Sequence, residues 1–299
     1  MTGLATRNPV HRPVLVGEAM DILRPEAGGV YVDATVGLGG HAGEMLRLMG
    51  GRGTLIGIDR DEEALRMAAA ALTSGNVVLR HAGFSRIGDV LGELRIESVQ
   101  GIFFDLGVSM LQLKMAGRGF SFATDEPLDM RMDITQALTA REVVNTYSQE
   151  RLTQILREYG EERHAAKIAR AIVTNRRQRP IGTCRELARI AAWAYGRAGR
   201  QRIHPATRTF QALRIEVNRE LDELEAGLGS SVRLLSKGGR MAVISYHSLE
   251  DRIVKHFFKK AAAEGQLQVL TKKPVRPGPE EVRENPAARS ARLRGAEKL

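Results

Sequence analysis

Two hydrophobic rhythms alternate along the first hundred residues. Val30, Tyr31 and Val32 form a short apolar, β-rich run that ends on Asp33, and Gly53–Asp59, Asn76–Arg80 and Val99–Asp105 are runs of the same kind. Between them, apolar residues recur every three or four positions. Val16, Ala19, Met20, Ile22 and Leu23 make one such stripe, closed by Pro25; Ala42, Met45, Leu46 and Met49 make another, and Asp61–Leu72 a third. Period two predicts strands and period 3.6 predicts helices. Four strands alternating with helices predict a parallel, doubly wound α/β sheet.

From about Met115 the rhythm changes. Two stretches with aromatic and charged tips, 117–122 and 127–133, read as loops, and helical periodicity then runs through Ala137–Tyr147, Gln149–Tyr159, Arg163–Arg177 and Glu186–Tyr195. This predicts a helical domain inserted between the fourth and fifth strands. Alternation resumes with a helical stripe over Thr207–Leu228, a fifth strand at Arg240–Ser245 and an amphipathic helix over Leu249–Ala263. The last stretch, 267–299, holds four prolines and reads either as a loose tail or, through Leu267–Leu270 and Ser290–Leu293, as a final pair of strands.

At 299 residues and 43% hydrophobic content the chain can bury a sizeable core. Its one cysteine, Cys184, excludes an internal disulfide and any multi-cysteine metal site, which fits a reducing cytosol. No stretch has signal-peptide or membrane-span character, so a soluble, cytoplasmic protein is expected. The net charge of +10 changes the picture by where it lies: 14 Arg or Lys against two acids, Glu186 and Glu216, fall between Arg163 and Arg219. A concentrated basic surface on a nearly neutral body is the footprint of a polyanion, most often nucleic acid. Arg176, Arg177, Arg179, Arg197, Arg200, Arg202 and Arg208 are the candidate phosphate contacts.

The candidate chemistry gathers at the strand ends. After Asp33 come Gly37, Gly39 and Gly40 and then a helix, the arrangement that brings bare backbone N–H groups to a ligand. Gly37, Gly39 and Ala42 also fit the dinucleotide fingerprint, so a nicotinamide or flavin enzyme stays open at this point. Asp33, four residues before the first glycine, repels phosphate and suits a ligand with positive charge, such as the ammonium and sulfonium of S-adenosylmethionine. Asp59, 26 residues on, is placed to accept ribose hydroxyls or to cap the next helix. Phe84 follows the third strand, where it either packs on adenine or belongs to the core. Asp105 closes the fourth strand, and Tyr246 and His247 follow the fifth, above the same crevice.

These residues sit in longer blocks: HRPVL at 11–15, VDATVGLGGHAGEML at 32–46, GIDRD at 57–61, FFDLGVSMLQL at 103–113, RGFSF at 118–122, PLDMRMD at 127–133, HPATRTFQALRIEVNREL at 204–221 and ISYHSLEDRIVK at 244–255. In this order and over nearly the whole chain, the blocks resemble the bacterial 16S rRNA (cytosine-N4) methyltransferases of the RsmH/MraW family. The resemblance implies a Rossmann-like S-adenosylmethionine methyltransferase sheet, formed by residues 1–114 and 215–299, with an inserted all-helical substrate domain over 115–214 and a tail that completes the sheet. It implies cofactor contacts at Gly39, Gly40 and His41, at Asp59 for ribose, and at Phe84, Asp105 and Gln112, beside Asp33 and Gly37 from the turn itself. The implied partner is 16S rRNA or the small ribosomal subunit, with no membrane, no metal ligand set and room for a homodimer. The implied target is the decoding-centre cytosine 1402. Met110 and Lys114 depart from the expected serine and acid, which bears on the loop beside Asp105 and Gln112.

A cytosine N4 lone pair is delocalised into the ring, so the amine needs an acceptor for its N–H groups before it attacks a methyl in line. Asp105 has the chemistry and the place for that role. Methylation at C5 would instead need a cysteine thiolate, and Cys184 lies at a helix start in the insert. The base must leave its stack to react. Tyr246, Phe120 and Phe122 are candidates to stack on it, and His247 to orient it.

Overall fold

The computed structural model describes residues 13–109, 112, 113, 115, 117–123, 125–195 and 203–299. His11, Arg12, Met110, Lys114, Arg197, Arg200 and Arg202 therefore lie outside the described residues. The chain forms two compact units, one of residues Met1–Gly107 with Glu223–Leu299 and one of Val108–Asp222.

The first unit is built on a seven-stranded sheet in the order β3-β2-β1-β4-β5-β7-β6. Its strands are β1 Val30–Asp33, β2 Thr54–Asp59, β3 Asn76–His81, β4 Val99–Asp105, β5 Leu235–Ser245, β6 Leu267–Val269 and β7 Arg292–Lys298. The first five run parallel; β7 lies antiparallel between β5 and β6. The C-terminal stretch is thus the final pair of strands, not a loose tail.

Alternation along the strands divides the core. In β4, Ile102 and Phe104 face one layer while Phe103 faces the other, all fully buried; in β5, Met241 and Val243 oppose Ala242 and Ile244 in the same way. Sheets covered on both faces need this two-sided apolar pattern. One layer includes α1 Val16–Leu23, α2 Gly40–Leu48 and α3 Glu62–Ala71. The other includes the helices Ile87–Glu93, Glu220–Leu234 and Ser248–Ala263.

Two boundaries differ from the sequence pattern for identifiable reasons. The single stripe expected over Thr207–Leu228 is two helices, Ala206–Asn218 and Glu220–Leu234, because Arg219 adopts a left-handed conformation (φ 49°) that closes the first. An apolar stripe records which face is buried and does not register a one-residue break. The third helix is capped by Asp61, whose side chain accepts from the Glu63 N–H, so Asp59 is not its cap.

The second unit packs the helices Ala140–Thr146, Gln149–Glu158, Ala165–Arg176, Cys184–Tyr195 and Ala206–Asn218 around a core that includes Val143, Leu156, Ile168, Leu187 and Phe210. Thr139 and Glu142 form a reciprocal cap at the first of these helices, and Ser148 caps the second.

The C-terminal strands are tied down electrostatically. Asp251, on the helix Ser248–Ala263, accepts from Arg294 at 2.7 Å and from Arg292 at 2.8 Å, and Asp251 and Arg294 are both buried. Burial alone would raise the Asp251 carboxyl, but the two guanidinium bonds overcome it and hold the group below the ordinary carboxylate range. Asp251→Ala leaves buried Arg294 without its carboxylate, so it should cost about 3 kcal/mol in urea unfolding at neutral pH. Because the native carboxyl titrates lower than the unfolded one, this contribution is present above the ordinary carboxyl range and is lost as pH falls. The gap between wild type and variant should therefore close in acid.

Candidate active site at the strand ends

The strand order reverses between β1 and β4, and open α/β sheets bind ligands in the crevice at such a point, outside the carboxyl ends of the strands. Asp33 ends β1, Asp59 ends β2 and Asp105 ends β4.

Between β1 and α2 the chain turns through Gly37 (φ 51°) and Gly39 (φ 83°), conformations that side chains rarely adopt. Gly39 is the N-cap of α2 and brings no side chain to the first turn, which keeps the helix N-terminus open to a ligand. At Gly40 a Cβ would stand 2.3 Å from Pro13, so the segment before α1 presses on this turn. His41 follows and is buried. Its Nε2 lies 2.9 Å from the Val14 carbonyl, which can only accept, so Nε2 carries the proton. In the neutral ring Nδ1 is then an acceptor, and it stands 3.7 Å from Asp105 Oδ2.

Asp105 still meets solvent; its side chain is 22% exposed. The Tyr246 hydroxyl donates to its Oδ1 at 2.8 Å, and its own N–H donates to Thr35 Oγ1 at 2.6 Å. Burial, then the Asp105 charge, push the Tyr246 hydroxyl well above its ordinary range, so it stays a donor. Such phenol-to-carboxylate bonds are charge-assisted and orient the acceptor. The Tyr246 hydroxyl is committed to Asp105, and its ring, the candidate to stack on a base, lies close to Gly107.

Asp59 accepts from the Gly37 N–H at 2.9 Å through Oδ2 and from the Asp61 N–H at 2.9 Å through Oδ1. Each oxygen keeps a second lone pair for a hydroxyl ligand. Burial raises its carboxyl, with the two backbone bonds opposing. Asp33 is 1% exposed and accepts from the Thr35 N–H at 3.2 Å; burial first, with the Asp105 and Asp59 charges adding to it, pushes its carboxyl up to about 8. It lies beneath the crevice and not at its mouth, where the sequence pattern put it.

Phe84 is half-buried. It meets Phe104 edge-on at 5.6 Å and carries the Arg60 guanidinium 5.6 Å from its ring centre, so it is both a core contact and a partly open aromatic surface. His247 caps the helix Ser248–Ala263 in a reciprocal arrangement with Glu250, and its Nε2 lies 3.2 Å from Glu250 Oε1. Capping occupies it locally.

The remaining candidates belong to the second unit. Gln112 is buried and accepts from the Ser109 N–H at 3.1 Å. Arg176 donates to the Val144 and Tyr147 carbonyls, each at 2.7 Å, and so closes the C-terminal end of the helix Ala140–Thr146; burial lowers its guanidinium from the ordinary value. Arg208 donates to the Glu161 carbonyl at 3.0 Å, and Arg179 pairs with Glu186. Arg177 is exposed. Phe120 is buried, and Phe122 stacks on His204 at 4.5 Å and meets Phe210 edge-on. Cys184 is fully buried against the Gly119 carbonyl, and burial pushes its thiol up to about 12.

Thr35 and Val14 escaped the sequence reading. Thr35 stands two residues after Asp33, inside a block already singled out, and a hydroxyl beside a strand end is the signal that was available. The Val14 carbonyl has no side-chain signal at all.

The sequence matches the model of the MraW methylase family over residues 8–299. It is 47% identical to a protein named ribosomal RNA small subunit methyltransferase H from Caldicellulosiruptor saccharolyticus, over 97% of this chain and 99% of the relative. It is 48% identical to proteins of the same name from Syntrophotalea carbinolica, over 97% of this chain and 98% of the relative, and from Persephonella marina, over 97% and 99%.

The Asp33 carboxyl yields a prediction independent of any ligand. Its native pKa, about 8, exceeds the ordinary 3.8, so between these values the folded state holds a proton that the unfolded state has released. Stability of the ligand-free protein should therefore fall as pH rises through this window and level off above it. Asp33→Asn should flatten that slope in thermal melts taken between pH 5 and pH 9; an unchanged slope would place the proton elsewhere.

Proposed function

The chain belongs to the MraW methylase family, and we propose that it transfers a methyl group from S-adenosylmethionine to the exocyclic N4 amine of a cytidine in small-subunit ribosomal RNA, cytosine 1402 by the family resemblance. The observation that carries this reading is the arrangement around Asp105: a partly exposed carboxylate at the sheet's switch point, oriented by Tyr246 and faced by His41.

The residues present fit the cofactor. The glycine turn and the open N-terminus of α2 suit the carboxylate of its methionine end, Asp59 retains acceptor capacity for ribose hydroxyls, and Phe84 offers an aromatic face for adenine. Asp105, partly exposed at the crevice, supplies the carboxylate that an ammonium and a sulfonium need nearby, and a cation beside Asp33 would favour release of its proton. When bound, the cofactor supplies an electrophilic methyl on sulfur. Everything else falls to the protein. Asp105 Oδ2 and His41 Nδ1 are two acceptors 3.7 Å apart, a spacing at which one amine can donate a hydrogen to each. Holding both N–H groups draws the nitrogen toward a tetrahedral geometry and frees its lone pair from the ring. The carboxylate also lowers the cost of the positive charge that develops on nitrogen. Tyr246 holds the carboxylate and Thr35 the backbone N–H of the same residue, so orientation is settled before the base arrives.

Methylation at C5 finds no support, because the one thiol is fully buried and its pKa is pushed up to about 12. The basic segment between Arg163 and Arg219 supplies the charge for RNA. Arg177 is exposed for that role, whereas Arg176 and Arg208 hold backbone carbonyls.

Incubation with labelled S-adenosylmethionine and unmodified small-subunit RNA or particles, followed by nucleoside mass spectrometry, should yield N4-methylcytidine. Another methylated nucleoside would overturn the substrate assignment. Asp105→Ala should abolish transfer. Tyr246→Phe should lower turnover about tenfold or more while leaving cofactor binding nearly intact, since one charge-assisted hydrogen bond is worth about 1.5–3 kcal/mol.

A further inference from the structure

The helix Cys184–Tyr195 carries a feature that the methyl-transfer site does not use. Its buried side, Cys184, Leu187, Ala191 and Ala194, seats it in the core of the second unit. Its opposite side presents Arg185, Arg189 and Trp193, spaced four residues apart and all exposed, so the three lie one turn above another in a single stripe. Trp193 is the chain's one tryptophan and is 72% exposed, more than any other large hydrophobic side chain among the described residues.

Isolated exposed apolar residues are ordinary on protein surfaces. What distinguishes Trp193 is its company. His164 packs against Tyr195 at 4.6 Å, which brings the start of the helix Ala165–Arg176 beside the end of the helix that carries Trp193. The exposed cations Arg163 and Lys167 occupy that start. The tryptophan ends a stripe whose other two members, Arg185 and Arg189, are exposed cations on the same helix. Asp125 stands 4.0 Å from Arg185 with both side chains about half exposed, a pairing that solvent screens. An open indole in line with two guanidinium groups suits a ligand that offers flat π-faces and a polyanionic backbone together, and single-stranded nucleic acid offers both.

We propose that the Arg185–Arg189–Trp193 stripe is a binding surface for single-stranded RNA, with one base of the substrate stacked on Trp193 and its backbone phosphates on the two arginines. This rests on the reading of RNA as the substrate and adds where the insert holds it. The stripe binds unpaired residues outside the reacting nucleotide, so it sets affinity and leaves the chemistry at Asp105 alone.

The single tryptophan makes the test direct, because all indole emission comes from position 193. A fluorescein-labelled single-stranded RNA oligonucleotide is titrated into the full chain, following fluorescein anisotropy and tryptophan emission together. Quenching should saturate with the anisotropy. Trp193→Ala should weaken RNA binding at least fivefold, the low end for loss of one stacked base, and Trp193→Phe should restore part of it. Arg189→Gln should reduce the slope of log affinity against log salt by about one. In methyl transfer, Trp193→Ala should raise KM for RNA with kcat unchanged, and unaltered S-adenosylmethionine affinity would show that the variant is folded.

RNA that binds without moving tryptophan emission, together with wild-type affinity in Trp193→Ala, would overturn the stripe and leave the methyltransferase reading standing. A Trp193→Ala defect on assembled subunits but not on naked RNA would also overturn it, assigning the surface to a protein of the particle. Wild-type chain that neither binds nor methylates RNA would instead remove the substrate reading on which the proposal rests.

Discussion

Three carboxyl groups converge on one end of a parallel sheet, and the rest of the site follows from the cost of keeping them there. Asp33, Asp59 and Asp105 end strands that are lateral neighbours in one parallel sheet, so all three reach the same crevice end. Removing such groups from water disfavours their charged forms, and the Asp105 and Asp59 charges add to the burden at Asp33. The response is graded. Asp33, the most enclosed, is pushed up to about 8, whereas Asp105 stays partly open to solvent and receives a phenol hydrogen bond. A cationic ligand is the natural remedy for this arrangement. A phosphate-bearing one would aggravate it, which is the physical reason a glycine turn compatible with two cofactors settles on a sulfonium here.

The fold supplies the partial compensation that lets the acids persist without a ligand. Backbone N–H groups of Gly37 and Asp61 bond Asp59, that of Thr35 bonds Asp33, and the Thr35 hydroxyl takes the Asp105 N–H. The left-handed glycines therefore have a second use: they shape the turn that aims the Gly37 N–H at Asp59 while leaving the end of α2 open. A side chain at Gly40 would collide with Pro13 and disturb the segment whose Val14 carbonyl fixes the His41 ring. Segments distant in sequence are thus coupled through one imidazole.

The sheet was legible because burial on both faces of a parallel strand leaves an unmistakable apolar run, and the acids were legible because they end those runs. The C-terminal strands were half legible: their apolar content is low, and what fixes them is the pairing of Arg292 and Arg294 with Asp251, 41 and 43 residues away. Pairings of that range leave no local trace. The same holds for Tyr246, whose hydroxyl reaches Asp105 across 141 positions. An aromatic after a strand suggests stacking, and only the lateral order of β4 and β5 reveals the hydrogen bond. Arginines mislead in the opposite way. A run such as Arg176, Arg177 and Arg179 looks uniform, yet one closes a helix end, one is exposed and one pairs with Glu186.

That division carries an argument about how basic segments should be weighed. Net charge sets the long-range potential whichever way each guanidinium points, so Arg176 adds to the positive potential even while it donates to two carbonyls. Contact is another matter, because a guanidinium already bonded and half-buried would have to give up those bonds to take a phosphate. Exposed cations have no such cost, and on the helix Cys184–Tyr195 two of them share a face with Trp193, the most exposed large hydrophobic side chain among the described residues. Long-range potential therefore belongs to the whole segment, whereas cations free of such a cost are found only where the side chain is exposed.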